Sequence, residues 1–144
     1  MAILDTSKKP FIADRDDNVF VGIDYPFHRS LGAEGWFKGT TTTIEAVKTN
    51  IKMLLKTEKG ERLMQPNLGI SLRRFLFEQM TQETFNDIQA EIIDAFDFWL
   101  PFVEIRDVEV SNKSADSNSI IIDLSFNITK DPNTLDSVQV EIGD

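Results

Sequence analysis

At Pro101 the chain changes period, and that change limits what it can fold into. Before it, Phe85, Ile88, Ile92, Ala95, Phe96 and Trp99 recur at spacings of three and four. Such a stripe marks one face of a long amphipathic helix. Thr81 is placed to cap its start, with Glu83 in the first turn. Proline has no N–H and clashes with the preceding turn, so the helix ends there. After it the apolar residues alternate. Val103 and Ile105 share one parity and Val108 and Val110 the other. That one-residue phase shift near Arg106-Asp107 predicts a bulge or bend. Ser119 to Thr129 is the clearest strand. Ile120, Ile122, Leu124, Phe126 and Ile128 point inward, and Ser125, Asn127 and Thr129 point to a wet face. Residues 112–118 and Lys130-Asp131-Pro132-Asn133 read as turns, and Val138, Val140 and Ile142 as a final strand.

Upstream, Thr42-Thr43-Ile44-Glu45 reads as a capping box. Ile44, Val47, Ile51, Leu54 and Leu55 follow at helical spacing, giving a helix over roughly 43–58 with Gly60 as its C′ residue. Glu61 to Met64 reads as a short extended piece, and Pro66 and Gly69 as a turn. Arg62 is expected to meet a carboxylate inside the fold. Ile70 to Phe77 is expected to be a short helix packing Leu72, Phe75 and Leu76. The fold class is therefore α+β: about three helices followed by a small antiparallel sheet of two to three strands. Val19 to Asp24 alternates like an edge strand, with Phe27 packing into the core. Trp36 and Phe37, in the glycine-rich loop 28–41, are expected in core or local packing. Residues 1–18 are polar and read as a flexible, extended N-terminal arm, anchored on a partner by Phe11 and Ile12. Residues 19–144 form the single domain.

Composition excludes several functions. The chain has 144 residues, 24 acidic against 15 basic, a formal net charge of −9 and no cysteine. A thiolate metal site and a disulfide framework are ruled out. So acidic a domain is a poor partner for nucleic acid. No apolar run is long enough to span a bilayer, and the N-terminus lacks the pattern of a signal peptide. His28 is the only histidine, without the neighbours of a metal site or a catalytic triad. No cofactor is expected. Arg73-Arg74, the one adjacent arginine pair in the chain, reads as a solvated face or a charged contact to a neighbouring subunit.

The ordered set Gly60-Glu61-Arg62, Pro66-Asn67-Leu68-Gly69, Leu76-Phe77-Glu78, the long helix and Trp99-Leu100-Pro101-Phe102 resembles the baseplate wedge and sheath-initiator family of contractile phage tails, which has type VI secretion relatives. The resemblance spans about residues 19–142 and is firmest over 55–102. It implies a structural wedge subunit of the virion baseplate, assembled in the host cytoplasm in about six copies. It further implies contact with wedge core proteins, the tail sheath and possible contact with the tail tube, and no membrane. Such proteins offer a sheet edge to sheath strands, and the C-terminal strands, the last carrying Val138, Val140 and Ile142, are the candidates, with the exposed edge left open between them. Family members often carry Glu-Pro-Arg at the end of the long helix as a dock. Here Leu100-Pro101-Phe102 stands there, so a surviving dock is apolar. Part of the family carries a lysozyme-like label. The rival reading is therefore a peptidoglycan hydrolase with two carboxylates about 5–9 Å apart, drawn from Glu61, Glu78 and Glu104. A generic adaptor module is the third reading.

Overall fold

The computed structural model describes residues 20–30, 36–112, 118–129 and 131–143. The proposed arm, residues 1–18, lies outside them. Eight elements follow in order: β1 (Gly22–Ile23), β2 (Gly39–Thr40), α1 (Thr43–Lys56), a 3-10 helix (Leu72–Phe77), α2 (Gln82–Trp99), β3 (Val103–Asn112), β4 (Ser119–Ile128) and β5 (Asp131–Gly143). β1 and β2 pair as a small antiparallel ribbon, and β3-β4-β5 form an antiparallel sheet with β4 central.

Both helices start where their side chains satisfy orphan backbone donors. Thr42 Oγ1 accepts the Glu45 N–H at 3.3 Å, and Thr81 Oγ1 accepts the Thr84 N–H at 3.3 Å. α1 buries Val47, Ile51, Leu54 and Leu55. α2 buries Ile88, Ile92, Ala95 and Phe96, most of the stripe read from sequence, with Phe85 and Trp99 partly buried beside them. α1 packs over β5 and α2 over β3. Together they cover the sheet face that carries Ile120, Ile122, Leu124, Phe126, Val138, Val140 and Ile142. Lys48 on α1 pairs with Asp136 on β5 at 2.8 Å, which holds the helix over that strand.

The phase shift in β3 is a register break between Ile105 and Asp107, leaving Arg106 as the extra residue. A second break lies between Phe126 and Ile128 opposite β5. There one expectation fails. Asn127 is 1% exposed rather than solvent-facing. Its Oδ1 accepts Arg106 Nε at 2.9 Å and its Nδ2 donates to Glu104 Oε2 at 3.2 Å. The bulge brings Arg106 across Asn127 and covers it. The turn expected at 130–133 is also shorter, because β5 begins at Asp131.

Further upstream the sequence reading needs more correction. α1 stops at Lys56, and Thr57 caps it by donating its N–H to Met53 and Leu54 carbonyls. Gly60 is therefore not the C′ residue. Its φ of +90° serves the loop beyond, where its N–H donates to the Pro66 carbonyl at 2.7 Å. The extended piece at Glu61–Met64 is part of that same loop. The strand expected over 19–24 contracts to Gly22–Ile23, with Val21 and Ile23 exposed. Phe27, Trp36 and Phe37 are exposed too, so they are not core plugs. They pack locally instead: Phe27 lies 5.8 Å from Phe37 by ring centroids, and Arg29 lies over Trp36 at 5.6 Å.

The loop from Thr57 to Ile70 is closed by Ile70 N–H donating to the Thr57 carbonyl at 2.9 Å. Gly69, at φ +113°, sits so close that an added Cβ would lie 2.2 Å from that carbonyl oxygen. Gly60 faces open space. Gly69→Ala is therefore expected to destabilise the fold by at least about 2 kcal/mol, from strain plus a backbone clash. Gly60→Ala, which meets only the left-handed backbone cost, is expected to lose about 1 kcal/mol. Urea denaturation of both variants measures the difference; equal losses would mean that the close approach at Gly69 contributes nothing.

Candidate functional site

Among the described residues the conspicuous surfaces are exposed apolar side chains, strand edges and uncompensated charge. Leu100 caps the end of α2 through its N–H to the Phe96 carbonyl at 2.8 Å, and Val103 N–H returns to the Leu100 carbonyl at 2.9 Å. This tight turn drives the Leu100 side chain into the core, where it is 9% exposed. Leu100 is thus a core residue and not a knob. Pro101 is exposed, and Phe102 keeps 40% of its surface open while Thr129 N–H and Oγ1 both donate to its carbonyl, at 3.0 and 3.2 Å. Of the three, Pro101 and Phe102 remain at the surface.

Arg73 and Arg74 are both exposed and do different things. Arg74 Nη2 donates to Glu91 Oε2 at 2.7 Å, and its guanidinium lies 4.5 Å from the Phe75 ring centroid. Lys59 reaches the other Glu91 oxygen at 3.3 Å. Arg73 donates its backbone N–H to Glu58 Oε1 at 3.1 Å. Among the described residues Arg62 forms no ion pair and is exposed, so the internal bridge expected for it is absent. Glu91 holds the helix–loop junction together instead. In the same loop Leu63 and Met64 are 96% and 94% exposed.

Val138, Val140 and Ile142 are buried. What β5 offers is its backbone edge. Ser137 N–H is taken by Asp136 Oδ1 at 2.8 Å, which puts it on the side away from β4. The alternation of an antiparallel ladder then turns the Gln139 groups outward as well. On the opposite edge, the Val108 carbonyl of β3 also points away from β4, and Gln89 Nε2 of α2 donates to it at 2.7 Å. The two contacts agree on the parity of the whole sheet. They differ in what takes the outward group: at β3 the Val108 carbonyl is bonded by a side chain of α2, and at β5 the Ser137 N–H by the neighbouring Asp136. Gln89 was missed in the sequence; only its place on the flank of the α2 stripe hinted at a role.

The three carboxylates weighed for hydrolysis do not converge. Glu61 Oε2 accepts the Glu58 N–H at 3.1 Å within the loop, Glu78 is exposed after the 3-10 helix, and Glu104 is shared between Arg106 and Asn127 on β3. The largest described cavity, about 640 Å³, is an open groove between α2 and β3 that takes in Glu104 but neither of the other two. Among the described residues no group of three metal-ligating side chains forms. No described helix is long and apolar enough to cross a membrane.

These features define a small α+β subunit whose conspicuous surfaces are a sheet edge and exposed apolar side chains. The profile of the family described as baseplate wedge protein gp25 matches residues 41–133, and the chain belongs to that family. It is a baseplate wedge-type structural protein of contractile tail systems. The baseplate wedge protein gp25 of Enterobacteria phage T4 is 23% identical over 109 residues, covering 74% of this chain and 82% of the phage protein. A Geobacter sulfurreducens crystal structure, provisionally named a tail lysozyme, superposes with TM-score 0.65 at 24% identity, covering 74% of this chain and 95% of that one. The cryo-EM baseplate of the anti-feeding prophage contains a chain with TM-score 0.62 at 22% identity, covering 77% and 86%. At these identities the structural likeness speaks for the fold.

The burial of Leu100 sets a test of which end-of-helix residue is free for docking. Leu100→Ala is expected to cost about 2–5 kcal/mol of stability, as for other large-to-small core changes. Phe102→Ser is expected to cost less than about 1.5 kcal/mol. Thermal and urea melts of the two variants check the order; a reversed order would put Phe102 in the core and Leu100 at the surface.

Proposed function

We propose that this chain joins the wedge core to the first sheath ring and templates the sheath by accepting a strand along β5. The observation that carries the reading is the edge itself. From Asp136 to Gly143 β5 pairs with β4 in continuous register at the rim of the sheet, which turns alternate N–H groups outward, that of Ser137 being held by Asp136 Oδ1. An unpaired edge of that length is a template for another strand, which is how β-augmentation works. The charge of Glu141 on the same strand discourages casual pairing. On the rival edge Gln89 of α2 takes the outward Val108 carbonyl, which favours β5 as the acceptor.

In this reading Val138, Val140 and Ile142 anchor β5 to the core so that the edge stays straight. Pro101 and Phe102 form an apolar dock toward the wedge core. Arg73 supplies a charge to a neighbouring subunit, and Arg74, held by Glu91, stiffens the loop beneath it. The subunit sits beside the tail tube in about six copies, assembled in the host cytoplasm into the virion, and performs no catalysis. The dispersal of Glu61, Glu78 and Glu104 supports that last point, because a glycosidase needs its two carboxylates facing one bond.

Gln139→Pro removes one outward N–H without touching the β4 side, a position where an edge strand tolerates proline. Tails assembled with this variant are expected to contain the subunit in their baseplates but to lack an ordered first sheath ring. Cryo-EM of the particles reads both. A normal sheath on variant baseplates would overturn strand addition at β5. Absence of the subunit from wild-type particles would overturn the wedge role itself.

A further inference from the structure

We propose that the groove between α2 and β3 is the seat of a Lys/Arg-bearing amphipathic helix of a partner protein. This does not rest on the β5 edge, and it extends the proposed dock at the end of α2, because Pro101 also lines the groove. The groove, open and about 640 Å³, has Ile93 and Ile105 among its apolar lining residues. Ile93 is 42% exposed. Asp97 of α2 and Asp107 of β3 line it from the two elements. Arg106, the one base lining the groove, is already held by Asn127 and Glu104.

The charge around the groove has no counterpart in the chain. α2 carries Glu83, Asp87, Glu91, Asp94 and Asp97 and no lysine or arginine. Glu91 is neutralised by Lys59 and Arg74, whereas among the described residues Asp94, Asp97 and Asp107 form no ion pair. Asp94 and Asp97 also stand near the C-terminus of α2, where the peptide dipoles already place negative charge. Between residues 29 and 74 nine Lys/Arg face four Asp/Glu, but between 75 and 144 three face fifteen. The cations that would relieve this surface therefore come from another molecule. Strand addition does not supply them here, because Gln89 occupies the Val108 carbonyl. A helix does: apolar residues on one face cover Ile93 and Ile105, and flanking Lys or Arg reach Asp97 and Asp107.

The probe is a fluorescent amphipathic peptide of Leu and Lys, about 15–20 residues long so that it can hold a helix, with a Leu/Glu peptide as its counterpart. Fluorescence anisotropy against the full chain reads affinity, and amide chemical shifts read location. The Leu/Lys peptide is expected to bind in a salt-sensitive way, with shifts concentrated on residues 89–97 and 103–108. Ile93→Ser, and separately Asp97→Asn with Asp107→Asn, are expected to weaken it about tenfold. Glu45→Gln with Glu78→Gln removes the same charge outside the groove and is expected to change it less than about twofold. All three variants alter exposed side chains, and circular dichroism confirms their folding. Equal weakening by the control pair, binding of the Leu/Glu peptide, no binding at all, or shifts outside the groove would each overturn the proposal.

Discussion

The rest of the structure depends on one asymmetry: a three-stranded sheet buried on one face only. Ile122, Leu124 and Phe126 of β4 are closed over by Ile51 and Leu55 of α1 and by Ile88, Ile92 and Phe96 of α2. Burial of this apolar area is the main driving force for a domain of this size. Two helices suffice to cover three strands. They do not close the sheet into a barrel, so two edges remain. The chain treats these edges differently. α2 lies against β3 and spends Gln89 on its carbonyl, while α1 lies over the face of β5. The difference follows from where each helix enters the sheet layer. α2 leads through the Leu100 turn straight into β3, so it is tethered beside that edge. α1 is connected to the sheet only through the long loop and α2.

That long loop is the second constraint. It must return the chain from the end of α1 to the start of the 3-10 helix, and it is fixed at both ends. Thr57 accepts Ile70, Gly69 lies against the Thr57 carbonyl, and Glu91 clamps Lys59 and Arg74 from α2. A loop so held carries Leu63 and Met64 outward in a defined position. The ordered Gly-Glu-Arg and Pro-x-x-Gly signature is thus explained by geometry. Its glycines and proline shape a closed turn, and Arg62 is not the internal bridge it resembles in sequence.

Legibility in the sequence followed the range of the interaction involved. α2, the bulge at Arg106 and the inward face of β4 were readable because each is a periodic property of neighbouring residues. The N-caps Thr42 and Thr81 were readable for the same reason. Asn127 and Leu100 were misjudged because their burial is decided by partners far along the chain or by turn geometry. Asn127 is covered by Arg106, brought over it by the bulge, and Leu100 is pulled inward by the return of Val103. The N-terminal ribbon was overread. A few alternating apolar residues satisfy a strand pattern, but without a helix over them Val21 and Ile23 stay exposed. At the functional surface, the β5 edge was anticipated as a strand and not as a rim with a defined parity. The acidic bias of α2 lay open in the sequence, whereas its importance appears only once Ile93 and β3 are seen to share a groove with it.

Charge and burial point the same way about what kind of object this is. A free-standing protein under selection for stability alone gains from a base near the C-terminus of α2. It gains equally from burying Ile93 or replacing it with a polar residue, and from blunting the β5 rim with lysine. This chain has done none of these, although Lys48, Lys56 and Arg74 show that it places bases well on the other half of the molecule. Each departure leaves a local interaction unsatisfied in the isolated subunit. Such departures are the expected condition of a part whose remaining contacts are made by its neighbours in a baseplate.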